Sequence, residues 1–291
     1  MGVLSIPRSS QSPTCKRKTR STTIKMMSTD ESGTLIVKIS GSIMDDDAAM
    51  EAFWRSVAQL WETAQVVLVH GGGKQMTAMA ERLGHTPRTV QGRRVTTDLD
   101  LDILLWALCG KLNTQLVAQA KQHGLSGVGL SGADASLLQV SKRPEWQVDG
   151  EAVDFGWVGD VEGVDAAVLT ALLDADLMPV VAPLGIDADG QVYNVNADTV
   201  AHAIAAAVHA TELLFVTGTG GVRRQADVPA SRLDTCDRAT FEAGVERGWI
   251  ADGMRVKLET AFAAVGNGVD RAVICAAGDL VDRVHATRVV G

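Results

Sequence analysis

The chain has 291 residues, 46% hydrophobic and 21% charged, which is typical of one large α/β domain or two modest lobes. Residues 1–29 carry six basic side chains and no acidic one, so the rest holds 21 of the 27 basic groups against all 35 acidic groups, a balance of −14. A body this acidic repels nucleic-acid backbones, and no run of about 18 apolar residues could cross a membrane, so we expect neither kind of partner.

Strand-like and helix-like segments alternate from residue 34 onward. Short apolar, β-branched runs predict buried strands, and longer runs with helical spacing predict helices. In chain order we predict strand 34–39, helix 47–63, strand 66–69, helices 74–83 and 98–123, strand 128–130, hairpins within 136–160, helix 164–175, strand 178–182, a turn at 187–190, helix 197–209, strand 213–216, helices 238–248 and 253–265, and strand 272–275. This alternation predicts a mostly parallel sheet with helices on both faces and ligands at the carboxyl ends of its strands.

The first 33 residues are rich in Ser, Thr and basic groups and lack the apolar stretch of a secretory signal. We predict a disordered leader. An organellar transit peptide is one alternative, and an upstream start codon, with Met26 or Met27 as the true start, is another.

Four cysteines stand far apart, at positions 15, 109, 236 and 275, without metal-type spacing. We therefore expect a reducing, cytoplasmic environment, and neither a disulfide framework nor a zinc site.

The most informative loop follows the second predicted strand. His70 precedes three glycines, Gly71 to Gly73, and the chain then enters a helix directly. Glycines let the backbone approach a ligand closely, and a helix N-terminus offers free N–H groups to an anion. A tight turn would explain one or two glycines, whereas three at a strand–helix junction favour an anion site.

Two nucleotide-binding motifs are only partly matched. Gly73-Lys74 resembles the end of a P-loop, but Gln75 replaces the Ser or Thr, and Leu68 stands where the first glycine belongs. Segment 127–132 fits the dinucleotide pattern G-x-G-x-x-G, but hairpin-like sequence follows it in place of a crossover helix. A nicotinamide-dependent dehydrogenase therefore remains a minor alternative.

Two more polar clusters lie where helices are predicted to begin. Asn194, Asn196 and Asp198 fall within five residues, more than a helix N-cap needs. Lys257 is predicted on the first turn of a helix, where a cation opposes the helix dipole. It is either a solvated surface lysine or a group held there for an anion.

Taken in order, these segments resemble the acetylglutamate kinases, the arginine-pathway branch of the amino-acid kinase family. The resemblance runs from about residue 34 to Val290 and rests on eight segments in register: Lys38-x-x-Gly41, 70–73, 92–96, 129–134, 156–160, 179–183, 194–198 and 253–257. It implies an open three-layer αβα sandwich with a mostly parallel central sheet. The implied activity is ATP- and Mg²⁺-dependent phosphorylation of the γ-carboxylate of N-acetyl-L-glutamate in arginine biosynthesis.

The resemblance also implies two lobes. Residues 34–184 would bind the acyl-glutamate and make the dimer contact, and residues 185–291 would bind ATP. In the family, feedback by arginine accompanies an N-terminal helix that builds hexamers. Since residues 1–33 show no clear amphipathic helix, we expect a homodimer without arginine sensitivity.

Roles follow for the residues that match the family's segments. Lys38 and Lys257 would stabilise charge on the transferring phosphoryl group, and Asp198 would orient both lysines. Gly41 and Gly72 would donate backbone N–H groups to phosphoryl oxygens. The other implied contacts are to the acyl-glutamate, from Gly72, Gly73, Arg94 and Asn194, and to ATP, from Thr217, Gly218, Gly221 and Lys257. No metal-ligating side chain is implied.

The chemistry agrees with this set. A γ-carboxylate has an ordinary pKa of about 4.3, so the nucleophile is already ionised and needs no general base. The obstacle is repulsion between two anions, which two lysines, backbone donors and Mg²⁺ reduce. Arg94 suits a carboxylate because its planar fork binds two oxygens.

Departures from the family's pattern keep alternatives open. Ser40 stands where a glycine is usual, as in kinases of nucleoside monophosphates, so a phosphate acceptor is one alternative. The combination of Gly73-Lys74, Ala133-Asp134-Ala135 and Lys142-Arg143-Pro144 resembles a variant branch, so N-succinyl-L-glutamate is another. Residues 217–222 replace the usual acidic segment on the ATP side. A degenerate kinase serving as a regulatory partner is disfavoured because both lysines and Asp198 are retained.

Overall fold

The computed structural model describes residues 33–148 and 150–291, so the predicted leader lies outside the described residues apart from Gly33. The described part contains sixteen strands: β1 (Thr34–Ile39), β2 (Gln65–His70), β3 (Thr89–Val90), β4 (Arg93–Arg94), β5 (Gly127–Ser131), β6 (Leu138–Lys142), β7 (Trp146–Val148), β8 (Glu151–Val153), β9 (Gly159–Val164), β10 (Met178–Ala182), β11 (Leu184–Ile186), β12 (Val192–Asn194), β13 (Glu212–Val216), β14 (Thr235–Cys236), β15 (Arg271–Cys275) and β16 (Thr287–Val289). The eight α-helices of the same residues are α1 (Asp47–Trp61), α2 (Gly73–Arg82), α3 (Asp98–Leu104), α4 (Asn113–Gln122), α5 (Ala167–Asp174), α6 (Ala197–Ala207), α7 (Arg238–Glu246) and α8 (Asp252–Gly266).

The central sheet has eight strands in the order β14-β16-β15-β13-β1-β2-β10-β5. All of its pairings are parallel except the one between β15 and β16. A smaller sheet has the order β12-β11-β6-β9, and β3-β4 and β7-β8 are separate antiparallel pairs. The predicted mostly parallel α/β fold is therefore confirmed.

Helices cover both faces of this sheet because successive side chains of a buried parallel strand point to opposite faces. On β1, Val37 packs in a core with α1, α3 and α4, whereas Ile36 packs in a second core with α5, α6 and α8. Two apolar cores on either side of one sheet make the three-layer sandwich that the sequence predicts.

The differences from the predicted elements have local causes. The predicted helix 98–123 is α3, a π-helical segment at Leu105–Leu112 and α4 in direct succession. The predicted helix at 164 starts at Ala167, since residue 164 still belongs to β9. Strands β3, β4, β14 and β16 were not predicted because runs of two or three residues carry too little periodicity.

No helix of the described residues combines the length and apolar character needed to cross a membrane.

Candidate active site

The carboxyl ends of β13, β1 and β2 lie side by side, because these strands are parallel neighbours. The loops that follow them carry the glycines and small residues of the predicted site. Beyond β1 come Ser40 and Gly41, beyond β2 comes Gly71, and beyond β13 comes Thr217. Sequence reasoning placed the ligand at this edge, which is the usual position in open parallel sheets.

Three charged side chains meet at this edge. The Lys38 ammonium lies 2.7 Å from one carboxylate oxygen of Asp198, and the Lys257 ammonium donates to the other at 2.9 Å. All three residues are buried, with relative exposures of 6% for Lys38, 7% for Asp198 and 8% for Lys257. The structure thus joins the three residues that the resemblance implied, although they lie up to 219 positions apart in the sequence.

Local structure explains how Lys38 and Asp198 are positioned in this cluster. Alternation along β1 points Lys38 to the same face as Ile36, toward α6 and α8. Asn196 caps α6, and its side-chain oxygen accepts from the backbone N–H groups of Asp198 and Thr199. Asp198 therefore lies in the first turn, where a carboxylate is favoured by the helix dipole.

Lys257 comes from the second turn of α8, since that helix begins at Asp252. The prediction of a first-turn position is corrected by this start. The side chain is not a solvated surface lysine, because it is buried and its ammonium lies over the Phe215 ring, 5.5 Å from the centroid. The remaining explanation from the sequence, a group held for an anion, fits this position.

The charges in the cluster support one another. Burial by itself would raise the pKa of Asp198, but the two neighbouring ammonium groups outweigh it and lower that pKa below its ordinary value. For Lys257, burial is the largest cause of a lowered pKa, and repulsion from Lys38 adds to it. Asp198 opposes both effects on Lys257. The carboxylate therefore helps to keep two cations together in a buried place.

The glycine loop lies beside this cluster. A Cβ atom added at Gly71 would lie 3.9 Å from the Lys38 ammonium. Gly72 has a φ of 154°, and a Cβ there would meet side-chain carbons of Leu108 and Leu112 at 2.2 and 2.9 Å. Both leucines belong to the π-helical segment, which packs against this turn. Glycine is therefore required at position 72 by conformation and by space.

The loop after β1 faces the glycine loop. A Cβ at Gly41 would lie 4.0 Å from the Cα and N of Gly72 and 3.3 Å from the side-chain oxygen of Gln75. The Gln75 amide donates to the carbonyl oxygen of Gly41 at 3.3 Å and to Asp45 at 2.6 Å, which ties α2 to this loop. Gln75 was noted in the sequence only as a mismatch to the P-loop, so its tether role was missed.

Arg94 lies on β4 and reaches back to the start of α2. Its guanidinium donates to the carbonyl oxygen of Gly73 at 3.3 Å and to the hydroxyl of Thr77 at 2.8 Å. Its other terminal nitrogen, Nη1, is buried and has no hydrogen-bond partner among the described residues. Burial lowers the pKa of Arg94, and the charge of Asp100 opposes that shift only in part.

Asn194 joins the substrate side of the predicted site to α6. It ends β12, and its amide donates to the hydroxyl of Thr96, two residues beyond Arg94, at 3.0 Å. Its own backbone N–H donates to the carbonyl oxygen of Trp157 at 2.9 Å. Asn194 is therefore close to the Arg94 strand, and no hydrogen bond among the described residues joins it to the Lys38–Asp198–Lys257 cluster.

The predicted nucleotide segment follows β13. Thr217 is buried, and its hydroxyl accepts from the backbone N–H of Gly220 at 3.2 Å, which closes a tight turn. A Cβ at Gly218 would lie 3.4 Å from the hydroxyl of Ser42, so this residue faces the loop after β1. Gly221 has a φ of 149° and instead packs against Arg232 and Thr287. Thr217 and Gly218 thus adjoin the site more directly than Gly221 does.

The structure also decides against a dinucleotide-binding motif at segment 127–132. Segment 127–132 is followed by a single short turn at Asp134–Ser136 and then by β6, so the crossover helix of a dinucleotide fold is absent there. Asp134 accepts hydrogen bonds from the N–H and hydroxyl of Ser131, which makes it a turn-former. Asp46 is the N-cap of α1, and its side chain accepts from the backbone N–H of Ala49 at 3.0 Å.

Comparison with known proteins agrees with this geometry. The model of the amino acid kinase family matches residues 33–276. The chain belongs to the amino acid kinase family. Its similarity to acetylglutamate kinase of Methanopyrus kandleri is 43% identity over 239 residues, covering 82% of this chain and 93% of that protein. Acetylglutamate kinase of Methanothrix thermoacetophila is 39% identical over 241 residues, covering 82% and 83%.

A solved structure has a similar fold. Protein smu.665 of Streptococcus mutans UA159 has a TM-score of 0.72 and 25% identity, covering 83% of this chain and 94% of that chain. The family and fold predicted from the sequence are therefore confirmed. The individual site residues stay predictions, supported by the contacts described above.

Proposed function

We propose that this chain transfers the γ-phosphoryl group of ATP to the γ-carboxylate of N-acetyl-L-glutamate, as part of arginine biosynthesis. The observation that carries the proposal is the buried Lys38–Asp198–Lys257 cluster beside the glycine loop. Two ammonium groups share one carboxylate, so the cluster keeps a net positive charge. That charge lies where the γ-carboxylate of the substrate and the γ-phosphate of ATP would meet. The names of the curated relatives support the same acceptor.

The groups beside this cluster favour an acceptor that is already ionised. Burial lowers the pKa of His70 to about 4, and both of its ring nitrogens are within hydrogen-bond distance of protein partners. Asp198 is bound by two lysines and has a lowered pKa. Neither group is suited to remove a proton from a hydroxyl near neutral pH. A carboxylate acceptor needs no such base.

Arg94 provides the recognition of a carboxylate. Its buried and unpartnered Nη1 can donate to an oxygen that the described residues do not supply. A guanidinium binds carboxylates in a two-pronged geometry, and a buried donor without a partner costs about 1–3 kcal/mol, so a substrate carboxylate there would be strongly favoured. We assign Arg94, with Gly72, Gly73 and Asn194, to the α-carboxylate and amide of the substrate.

The step itself is a direct displacement. An oxygen of the γ-carboxylate forms a bond to the γ-phosphorus, the bond between that phosphorus and the β–γ bridging oxygen breaks, and ADP leaves with the electron pair. Lys38 and Lys257 would stabilise the charge on the transferring group, and the N–H groups of Gly41 and Gly72 would bind its oxygens. No proton has to be moved.

Mg²⁺ fits the site only as part of the nucleotide complex. The described residues contain no group of three or more His, Cys, Asp or Glu side chains arranged to hold a metal, and Asp198 is occupied by the two lysines. We therefore propose that the phosphates of ATP would hold the ion, with water completing its shell. Bound there, Mg²⁺ would neutralise part of the phosphate charge.

The predicted lobes, homodimer and cytoplasmic location belong to this proposal as well. We assign residues 34–184 to the acyl-glutamate and 185–291 to ATP, with Thr217, Gly218, Gly221 and Lys257 on the nucleotide side. Leu99 and Trp106 are 44% and 54% exposed on one helical face, which supports a dimer contact in the first lobe. Light scattering on the purified chain would test the dimer.

Trapping with hydroxylamine tests the activity. The purified chain with ATP and Mg²⁺ is expected to form a hydroxamate from N-acetyl-L-glutamate at a rate well above those with N-succinyl-L-glutamate or uridine monophosphate. A higher rate with N-succinyl-L-glutamate would mean that the substrate carries a succinyl group and not an acetyl group. If ADP forms only with uridine monophosphate as acceptor, and neither glutamate derivative gives a hydroxamate, the proposal is overturned.

A further inference from the structure

His70 is an unusual residue at this site because it is fully buried and yet makes polar contacts on both sides of its ring. Its relative exposure is 0%. Nδ1 lies 2.8 Å from the carbonyl oxygen of Gly71, and Nε2 lies 3.1 Å from the side-chain nitrogen of Asn113. Asn113 is the first residue of α4, directly after the π-helical segment.

The partners determine which ring nitrogen carries the proton. A carbonyl oxygen can only accept, so Nδ1 of His70 must donate to Gly71. The Asn113 nitrogen also lies 2.9 Å from the carbonyl oxygen of Val180, which identifies it as the amide donor. Nε2 of His70 therefore accepts from Asn113. This is the neutral ring, in agreement with a pKa that burial lowers to about 4.

The hydrogen bond to Gly71 acts on a peptide bond that the proposed chemistry uses. The carbonyl of Gly71 and the N–H of Gly72 belong to one planar trans peptide, so they point in opposite directions. Fixing the oxygen toward His70 therefore fixes the N–H on the other side. That N–H is the one assigned above to a phosphoryl oxygen.

A loop of three glycines needs such a constraint. Glycine populates both signs of φ about equally, so a free Gly71–Gly72 peptide could rotate without steric cost. Leu108 and Leu112 pack against the Cα of Gly72, but apolar contacts do not determine which way a carbonyl points. The hydrogen bond from His70 does, and Asn113 holds the ring in place from behind.

We propose that His70 is a positioning residue that aims the Gly72 N–H into the phosphoryl site through its hydrogen bond to Gly71. The inference rests on the proposed phosphoryl transfer. It gives His70 no contact with substrate and no proton to move. It extends to Asn113, which fixes the ring tautomer from a position that sequence motifs do not mark.

Two substitutions separate this role from simple packing. In His70→Asn the side-chain amide can occupy the place of Nδ1 and still donate to Gly71. In His70→Gln the amide reaches the place of Nε2 and keeps the contact with Asn113 but not the one with Gly71. Both variants lose ring volume, and thermal unfolding of each measures that common cost.

The two variants are expected to differ in kcat. His70→Gln should lower kcat by about 10- to 100-fold, the range for a misplaced catalytic group, with KM for ATP nearly unchanged. His70→Asn should keep kcat within a few-fold of the wild type. Equal kcat losses in both, or losses that follow only the unfolding temperature, would overturn the inference. An inactive wild type would instead overturn the proposed function.

The wild-type chain offers a test that does not depend on a variant folding. Nitrogen-15 NMR of the histidine rings is expected to show one neutral imidazole protonated at Nδ1 from pH 5.5 to 8 that disappears in His70→Asn. A signal for His70 protonated at Nε2, or one that titrates near pH 6.5, would contradict the hydrogen-bond assignment.

Discussion

Two buried carboxylates at opposite edges of the sheet are each bound by two cations, and they differ in what surrounds those cations. Asp198 lies at the carboxyl end of β1 between two buried lysines. Glu212 is the first residue of β13, at the amino end of the strands, and it is 3% exposed. Strand β13 runs from Glu212 to Val216, so its two ends are four residue steps apart, about 13 Å.

The cations of Glu212 are arginines that extend toward solvent. Arg271 lies 3.1 Å from one carboxylate oxygen with a side chain 59% exposed, and Arg283 contacts the other oxygen with a side chain 25% exposed. Most of the Arg271 side chain is in solvent, whereas Arg283 also donates to the carbonyl oxygen of Val281 at 2.7 Å and keeps a buried Nε without a partner among the described residues. This cluster can satisfy a buried carboxylate, and that is sufficient to explain it.

The lysines of Asp198 have no such exposure. Their side chains are 8% and 10% exposed, and repulsion between them lowers the pKa of Lys257 further than burial alone. A protein gains little stability from crowding two lysines around one carboxylate away from water. The comparison therefore supports the proposed functional role of the lysine cluster, whereas charge pairing is enough to explain the Glu212 cluster.

Removing a lysine should give the largest effect. Lys257→Ala is expected to reduce kcat for hydroxamate formation by about 10²- to 10³-fold, as for loss of a charge-stabilising donor, while circular dichroism shows an unchanged fold. Lys121→Ala, which removes an exposed lysine from the last turn of α4, is the matched control and should stay within twofold. Near-normal turnover in Lys257→Ala would mean that the lysine cluster is not needed for phosphoryl transfer.

Removing the shared carboxylate should have a smaller effect that depends on pH. Asp198→Asn leaves two buried ammonium groups facing each other, so the pKa of Lys257, already lowered by burial, falls further. The ammonium then loses its proton at a lower pH, and activity declines as pH rises. We expect kcat to fall roughly 10²-fold near neutrality and further toward pH 9. A pH profile parallel to the wild type would show that Asp198 does not control the lysines.

Distorting the glycine loop tests the backbone part of the site. Gly72→Ala places a methyl group against Leu108 at a φ of 154°, so the loop must move, and kcat is expected to fall about 10- to 100-fold. Gly266→Ala, at the end of α8, is the control, because a Cβ there meets nothing within 4 Å and no role in the site is assigned to it. Similar losses in both variants would mean that the loop conformation at Gly72 does not decide activity.

Neutralising Glu212 should affect stability alone. Glu212→Gln removes the charge that pairs with Arg271 and Arg283, and urea unfolding is expected to show a loss of about 1–3 kcal/mol in the free energy of unfolding. Turnover should remain within twofold. A selective loss of activity in a fully stable variant would mean that the two clusters are not functionally distinct.

The two clusters also show how far the sequence alone reaches. The order of strands and helices follows from local periodicity, and the loop at 71–73 is marked by three consecutive glycines. The contacts of Lys38, Asp198 and Lys257 join three distant segments, so only resemblance to a family placed them together. Nothing local distinguishes Lys257 from a surface lysine, since its burial depends on β13 and α6.

Other features could not be predicted from the sequence, because they also depend on contacts between distant segments. The π-helical segment at Leu105–Leu112 has the sequence of an ordinary helix, and it is the packing of Leu108 and Leu112 against Gly72 that gives it meaning. Gln75 and Asn113 act through hydrogen bonds to other segments. The short strands β3 and β4, which position Arg94, are pairs of residues without a detectable pattern.

The most direct test of the account follows the attacking oxygen. N-acetyl-L-glutamate labelled with oxygen-18 in its γ-carboxylate is incubated with ATP, Mg²⁺ and the purified chain, and the acyl phosphate is cleaved by hydroxylamine at its carbonyl carbon. If the carboxylate attacks phosphorus, the phosphate released with the hydroxamate carries one labelled oxygen. Phosphate without label, released at the same rate, would mean that water is the acceptor and would contradict the proposed transfer.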